Sequence, residues 1–424
     1  MYTGRQRMMV MTEKKKISEG EVSYLRELVK QQKEYAVNPR MDEKKEEWYK
    51  HNAAQGEKPM VVIEEETFWP DICPKLQCQG EWAREMENQL LQNLYVAKEV
   101  CDDKVVPDFY RLEIRCSHLK YGIDLQKTYT EDHLGFHIEP ELIDLDTDLK
   151  KLKRTEFFWD EALYKEKEEF IQEILGDILP VKRVNADNYW DMALTADVVN
   201  LMGTENMFCA MLDTPDEYHQ MMEFLADEKI RFLRWQEKNH ILYLNNGNDY
   251  MGSGSYCFSQ ELPGKDFQGE VKSIHTWGHM NSQESVGISP EMFREFVLPP
   301  MVRLSKEFGL LYYGCCEPVS DFWDDGVEKL KNLRKVSISA WCDEEKMSER
   351  LQGTNIIYSR KPSPNYLGVQ KEFDEEVFRK HIRKTVQLTK NCKSEFIFRD
   401  IYKLNGNREK IRRAVEITRE EIGR

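Results

Sequence analysis

A set of reactive side chains follows one short apolar run in the second half of the sequence. The run Leu310–Tyr313 leads into Cys315, Cys316 and Glu317. Thiolate and carboxylate groups are zinc ligands, and a zinc ion with one open position acts as a Lewis acid. The spacing therefore predicts a metal site at Cys315, Cys316 and Glu317. The alternative is a buried structural thiol beside a glutamate that hydrogen-bonds substrate, because adjacent strand side chains point to opposite faces.

Two further apolar runs end in side chains that suit substrate binding. Val336–Ser339 is followed by Trp341, and Ile356–Tyr358 is followed by Arg360 and Lys361. An arginine grips a carboxylate through two hydrogen bonds, whereas a lysine offers a point charge. We interpret Trp341, Arg360 and Lys361 as substrate contacts at one shared mouth. An internal salt bridge is the alternative for the two cations.

The histidines His275 and His279 are four residues apart, a spacing that suits a metal pair on a helix. Their segment, Ser273–Trp277, is instead predicted to be a strand. We therefore interpret His279, together with Gln283 and Glu284, as hydrogen-bonding groups for a polar substrate.

The elements that must position these side chains alternate between strand and helix. The segments are predicted as strands at Ser273–Trp277, Leu310–Cys315, Lys335–Ala340, Asn355–Ser359 and Glu395–Phe398, and as helices at Pro290–Phe308, Asp321–Leu333, Asp374–Leu388 and Arg408–Ile422. Repeated strand and helix units are typical of a closed parallel barrel, whose active site forms at the carboxyl ends of the strands. The predicted fold is an α/β (β/α)8 TIM barrel over residues 59–424, with an N-terminal helical extension over residues 1–58.

The N-terminal extension is predicted to contain two helices. Ser18 and Glu21 form a capping box for a helix over Gly20–Val37. The charged stretch Met41–Gln55 is predicted to be a second helix, anchored by Trp48. This arm either covers the barrel or binds a partner.

Composition excludes several classes of protein. The formal net charge of −15 disfavours nucleic acid as a partner. No apolar run approaches the ~20 residues that span a bilayer, and Met1–Lys16 lacks the apolar stretch of a signal peptide, so we expect a cytoplasmic protein with no membrane contact. The ten cysteines are interpreted as thiols. The sequence has no glycine-rich nucleotide loop, and Asn245–Gly269 is predicted to be a long loop, either a lid or binding loop or a flexible surface insertion.

The run Gly287–Pro299 resembles the strand-to-helix signature of the uroporphyrinogen-decarboxylase superfamily, which includes cobalamin-dependent and zinc-dependent methyltransferases. The resemblance continues through Tyr313–Pro318, through Tyr358–Pro364, and from Phe398–Asp400 to the last helix. It covers Ser273–Gly423 well and the first half loosely. It implies a TIM barrel with its site at these strand ends.

Departures from the family pattern narrow the function that the resemblance implies. The arginine-rich motif that grips porphyrinogen carboxylates is absent. Zinc-binding methyltransferases of the family carry His-x-Cys and a further Cys at the last strand end, where this sequence has Tyr313-Gly314-Cys315 and Asp400. The sequence Tyr313–Pro318 is similar instead to a version found in members associated with demethylation of methyl ethers.

The resemblance therefore implies transfer of a methyl group from an O-methyl substrate to the cobalt of a separate corrinoid protein. It assigns acid–base roles to Tyr313, Glu317 and Asp400, with zinc as a possible cofactor. The chain lacks the Asp-x-His-x-x-Gly corrinoid box, so a partner protein is expected to supply cobalamin. A decarboxylase that uses Arg360, Lys361 and Asp400 is one alternative, and a non-catalytic barrel that binds a small molecule is another.

Overall fold

The computed structural model describes residues 14–131, 135–186, 188 and 190–423. The strands in chain order are β1 (Met60–Ile63), β2 (Tyr110–Ile114), β3 (Ser117–Leu119), β4 (Lys127–Tyr129), β5 (Phe136–Ile138), β6 (Glu156–Phe158), β7 (Val181–Asn185), β8 (Tyr250–Gly252), β9 (Ser255–Tyr256), β10 (Trp277–Met280), β11 (Leu310–Tyr313), β12 (Leu333–Ile338), β13 (Ile357–Arg360) and β14 (Ser394–Phe398).

The α-helices surround these strands. They are α1 (Glu19–Ala36), α2 (Pro39–Asn52), α3 (Trp69–Ile72), α4 (Glu81–Tyr95), α5 (Leu145–Asp148), α6 (Glu161–Leu175), α7 (Leu194–Asp213), α8 (Pro215–Lys238), α9 (Pro290–Met292), α10 (Leu298–Ser305), α11 (Val319–Phe322), α12 (Glu344–Leu351), α13 (Asn365–Gly368), α14 (Glu375–Leu388) and α15 (Glu409–Ile422). None of the helices in these ranges combines the length and apolar character that crossing a membrane requires.

A parallel sheet of six strands forms the centre of a mixed α/β fold. Its order is β1–β14–β13–β12–β11–β10, and β2 and β7 form a separate parallel pair. The strands are buried on both faces, as expected of a sheet covered on both sides. Because Ile63 lies opposite Phe398, the residues that follow β1 and β14, Glu64 and Arg399, come out at the same level.

Side chains satisfy the two open edges of the six-stranded sheet. Along β1, the backbone N–H groups of Val61 and Ile63 donate to carboxylate oxygens of Asp103 and Asp102, at 2.7 and 2.8 Å. Along β10, Asn245 makes two hydrogen bonds with the backbone of Trp277, at 2.9 and 3.0 Å. Between described residues, no strand ladder joins β1 to β2 or β7 to β10. The mixed α/β fold agrees with the prediction, whereas ring closure stays a prediction.

The segment predicted as a lid or binding loop, or as a surface insertion, Asn245–Gly269, carries a hairpin that packs against the carboxyl ends of β11 and β14. Its tip, Ser253 between β8 and β9, is fully buried. The Oγ of Ser253 donates to the carbonyl oxygen of Gly314 at 2.9 Å. A Cβ on Gly254 would come within 2.2 Å of Ile397 Cγ2, so only glycine fits this approach to β14.

Two predicted elements of the second half are wrong. The strand expected at Ser273–Trp277 begins at its last residue and runs to Met280, after a short 3-10 turn. The helix expected over Asp321–Leu333 is broken into short pieces, because Asp325 adopts a left-handed φ of 56° that an α-helix does not accept.

The helix expected over Pro290–Phe308 forms with one irregularity. It contains a π-helical segment over Phe293–Val297, immediately before Pro299 and Pro300. Proline has no N–H to donate into the helix, which accounts for the local change in hydrogen-bond pattern.

The N-terminal helices pack directly on the sheet. Ser18 and Glu21 form the predicted capping box of α1. From α2, Trp48 is fully buried and stacks on Phe258 with ring centroids 6.1 Å apart. His51, also on α2, lies 3.1 Å from a carboxylate oxygen of Glu395 on β14. The arm therefore contributes side chains to the interior of the fold.

Candidate active site

The carboxyl ends of β1, β11 and β14 bring five charged or reactive side chains together at one edge of the sheet, which we call the mouth. Arg399 Nη1 donates to Cys315 Sγ at 3.2 Å, and Arg399 Nε lies 3.0 Å from Glu64 Oε2. Cys316 Sγ lies 3.5 Å from Cys315 Sγ and 3.6 Å from an oxygen of Asp400. We call these five residues the thiol cluster.

Positive φ values at Gly314 and Asp400 determine how the chain turns at the thiol cluster. Gly314 has a φ of 98°, which turns the chain sharply after β11, and a Cβ there would lie 3.1 Å from Ser337 Cβ. Asp400 has a left-handed φ of 59° directly after β14. Left-handed backbone of this kind directly after a strand is frequent at functional sites.

The two thiols differ in their protonation. The hydrogen bond from Cys316 and the positive charge of Arg399 lower the pKa of the Cys315 thiol, against the effect of burial. The same sulfur contact, together with burial, raises the pKa of the Cys316 thiol. Cys315 is therefore the more acidic of the two thiols, and Cys316 keeps its proton.

Aromatic and polar groups from the hairpin and from β10 complete the mouth. The Tyr250 hydroxyl donates to Glu64, and burial and the Glu64 charge raise the pKa of this phenol, which stays protonated. Ser253 Oγ lies 3.2 Å from His279 Nε2 and accepts from Arg399 at 3.0 Å. Trp190 packs against both His279 and Arg399, with its ring 5.1 Å from the His279 ring and 5.8 Å from the Arg399 guanidinium.

A cavity of about 370 Å³ opens beside Tyr250 and Trp190, and a second one of about 580 Å³ lies next to it. Both are within the range of small-ligand sites. Four residues line both cavities: Glu66, Arg111, Glu113 and Arg115. The last three alternate along and just beyond β2, so they share the strand face turned away from the helix layer.

Three consecutive glutamates follow β1 and have different environments. Glu64 is paired with Arg399, and Glu65 is paired with Lys104. Glu66 has no side-chain partner in the described ranges and lines both cavities. The Glu66 side chain is exposed at the cavity wall, and desolvation by the groups around it together with the charges of Glu65 and Glu64 raises the pKa of its carboxyl group to about 8.

Two of the predicted catalytic residues lie behind the mouth. Glu317 is buried, and its oxygens accept the backbone N–H groups of Ser282 at 3.0 Å and of Cys315 at 2.9 Å. Burial raises the pKa of this carboxyl group. Tyr313 is also buried, and its hydroxyl lies 2.5 Å from Ser282 Oγ. Both residues hold the turn after β11 against the turn after β10.

The two predicted substrate cations, Arg360 and Lys361, are buried and bonded within the protein. Arg360 pairs with Glu344 at 2.7 Å. Lys361 donates to Tyr312 and, at 2.7 Å, to Ser359 Oγ, and burial lowers its pKa to about 7. Arg360 therefore forms the internal salt bridge that was the alternative to substrate binding.

The other predicted contacts are dispersed. His279 lies in the mouth as described. Glu284 accepts a hydrogen bond from Thr195 at 2.7 Å, and Gln283 beside it is half-buried. Trp341 is 75% exposed, so its ring stands in solvent. His275 instead accepts the backbone N–H of Lys272 and does not approach His279.

The predicted zinc ligands do not fit a metal in this arrangement. Both oxygens of Glu317 are taken by backbone N–H groups, and the Arg399 guanidinium lies against Cys315 Sγ. Over the ranges that the structure describes, no three His, Cys, Asp or Glu side chains come together in a geometry that could hold a metal ion.

Several residues of the site carry a signal that the sequence interpretation did not use. Glu64 and Glu66 follow the apolar run Met60–Ile63, and Arg399 follows the last strand, so the rule applied to Cys315 applies to them equally. Tyr250 and Trp190 gave no such signal, because they lie on irregular segments whose path depends on tertiary packing.

Comparison with known proteins supports the fold. The structure is similar to that of a methyltransferase from Methanosarcina mazei, with a TM-score of 0.52 and 11% sequence identity over 89% of this chain and 98% of that chain. At this identity the likeness concerns the fold alone. No family model matches the sequence, and no curated protein matches it either.

Proposed function

We propose that the protein is a methyltransferase that moves a methyl group from an O-methyl small molecule to a separate corrinoid protein. The observation that carries this proposal is the cavity beside the thiol cluster, whose lining includes the Glu66 carboxyl group with a pKa raised to about 8. Loss of a methyl group from an ether leaves an oxyanion, to which a carboxyl group of this kind can donate a proton.

The proposal includes the complete barrel. Eight strands of the fold are parallel members of the two central sheets, namely β1, β2, β7 and β10 to β14. We infer that they form one (β/α)8 unit over residues 59–424, with residues 1–58 as its helical arm. The likeness in fold to a methyltransferase and the motif Tyr313–Pro318 support assignment to the uroporphyrinogen-decarboxylase superfamily.

The chain's own residues would act on the oxygen of the methyl donor. As the carbon–oxygen bond breaks, both electrons go to the oxygen, and the Glu66 carboxyl group donates its proton there. The Arg399 guanidinium, held by Glu64 and Cys315, supplies a fixed positive charge at the same edge. Trp190 and Tyr250 offer flat surfaces for a ring and limit the entry of water.

The corrinoid would come from a partner, because both cavities have volumes suited to a small substrate and are too small for a corrin macrocycle. When bound, the corrinoid supplies a reduced cobalt centre that accepts the methyl group. The mouth must remain open toward that partner, and half-exposed Trp190 and Cys316 border this opening.

Product analysis separates this function from its alternatives. Purified protein is incubated without oxygen with 4-methoxybenzoate and reduced cobalamin, and the products are identified by mass spectrometry. We expect 4-hydroxybenzoate, formed only when cobalamin is present. Anisole and carbon dioxide would indicate a decarboxylase, and an unchanged substrate across a panel of methoxylated acids and alcohols would favour a binding protein.

A further inference from the structure

The charged residues that line the cavities are almost all neutralised by one another. Asp249 binds Lys182 Nζ at 2.7 Å, and Glu113 binds Arg115 at 2.6 Å. Glu65 is paired with Lys104. The raised pKa of Glu66 favours the neutral form of its carboxyl group.

Arg111 differs from these other charged residues of the cavity lining. It lines both cavities, and one of its guanidinium nitrogens donates to the carbonyl oxygen of Asn248 at 3.0 Å. Within the described ranges no carboxylate lies at ion-pair distance from it. The guanidinium is half-buried and rests 5.9 Å from the centre of the Phe109 ring.

A guanidinium that lines a cavity and has no carboxylate at ion-pair distance can offer its charge to an anionic ligand. Arginine presents its donors in a fixed fork that matches a carboxylate, and one carbonyl contact leaves donors of that fork available. The shared position of Arg111 between the two cavities places such a carboxylate within the same space as Glu66, Trp190 and Tyr250.

We infer that the methyl donor is a small carboxylic acid, whose carboxylate binds Arg111 while its O-methyl end lies toward the thiol cluster. The inference rests on the proposed function, because it names the class of substrate for the same cavity. The substrate's carboxylate would then contact Arg111 on β2. Arg360 and Lys361, which were the residues predicted from the sequence, are bonded within the protein.

Matched pairs of acid and amide test the inference by binding alone. The probes are 4-methoxybenzoate with 4-methoxybenzamide, and methoxyacetate with methoxyacetamide, measured by titration calorimetry. We expect each acid to bind the wild-type protein more tightly than its amide. In Arg111→Gln, acid binding should weaken by roughly tenfold to a hundredfold, as expected for loss of a charged hydrogen bond, with amide binding nearly unchanged.

Arg115→Gln is the matched control, because Arg115 lines the same cavities but is already paired with Glu113. It should leave the preference for the acid intact, and thermal melts of both variants check the fold. The inference is wrong if neither acid binds wild type more tightly than its amide, or if both variants lose the preference equally.

The outcome is separable from that of the proposed function. Binding of an acid that depends on Arg111, without any methyl transfer, would refute the methyltransferase and keep the carboxylate site. Methyl transfer from the amide at the rate seen with the acid would keep the methyltransferase and refute the carboxylate site.

Discussion

Two regions around the mouth both contain charged side chains, yet these side chains differ in pairing. On the side of β12 and β13, Arg360 and Lys361 are buried and bonded to other protein groups. On the side of β1 and β2, Glu66 and Arg111 line cavities and lack carboxylate or cationic partners among the described residues.

This difference shows that a reactive residue at a strand end is not yet a site residue. Its role depends on whether the protein already satisfies it, since a satisfied group has little left to offer a ligand. Substitutions on one side or the other test this difference, and Arg399→Gln has the largest expected effect.

Arg399→Gln should have the largest effect, because Arg399 joins the thiol cluster to Glu64. Both partners are buried, so removing one leaves an uncompensated charge, which typically costs about 3–5 kcal/mol. We expect a large drop in melting temperature and loss of turnover. Arg115→Gln, an exposed pair near the same cavities, should melt within a few degrees of wild type.

Glu66→Gln should lower methyl transfer by roughly 100-fold while keeping the fold, because glutamine cannot donate the proton. Wild-type turnover should fall as pH rises through about 8, the pKa of Glu66, and the variant should lack this dependence. The matched control is Glu113→Gln, which replaces a neighbouring carboxylate and leaves Glu66 unchanged. Full activity of Glu66→Gln at pH 7 would remove Glu66 from the mechanism.

The same titration has a signature in stability. The folded-state pKa of Glu66 lies above its ordinary value, so its contribution to folding is present at low pH and is lost as pH rises through about 8. Thermal melts should therefore show Glu66→Gln gaining stability relative to wild type between pH 5 and pH 9. A constant difference across that range would contradict the raised pKa.

Glu317→Gln should act on stability more than on chemistry. The glutamine amide has one accepting oxygen for two backbone N–H donors, so one buried donor loses its partner, at about 1–3 kcal/mol. We expect a lower melting temperature, with residual turnover per folded molecule close to wild type. Turnover lost at an unchanged melting temperature would instead support the catalytic role first predicted for Glu317.

The smallest expected effect concerns the two thiols. Cys316→Ala removes the hydrogen bond that lowers the pKa of Cys315, so the rate of Cys315 alkylation by iodoacetamide should shift to higher pH. Cys315→Ala should let Cys316 react at lower pH than it does in the wild type, because the contact with Cys315 raises the pKa of Cys316. Mass spectrometry of the labelled peptide reports both, and identical pH profiles for wild type and Cys316→Ala would contradict the difference.

The sequence predicted the parts of the fold that depend on local pattern. The strands β11 to β14 and the capping box of α1 follow from apolar runs and from side-chain capping, which act over a few residues. The resemblance in Gly287–Pro299 pointed to the fold class, with which the structural likeness agrees. The hairpin tip at Ser253 could not be predicted, because its burial depends on strands from distant parts of the chain.

The site was predicted in part for the same reason. The sequence located Cys315, Cys316 and Asp400 at strand ends, and the structure brings them together with Arg399. It could not show that Glu317 turns back onto the backbone of its own loop. It also could not show that Arg111 stands without a carboxylate while Arg360 has one, because pairing over long sequence separations is set by the fold.

The most direct test of this difference between the two sides is a crystal structure of the protein with 4-methoxybenzoate bound. We expect the ligand's carboxylate to bind Arg111 and its methoxy group to lie near Glu66 and the thiol cluster, with Arg360 still paired to Glu344. Ligand density against Trp341 and Lys361, with an empty cavity at Arg111, would contradict the account and restore the side of β12 and β13 as the site.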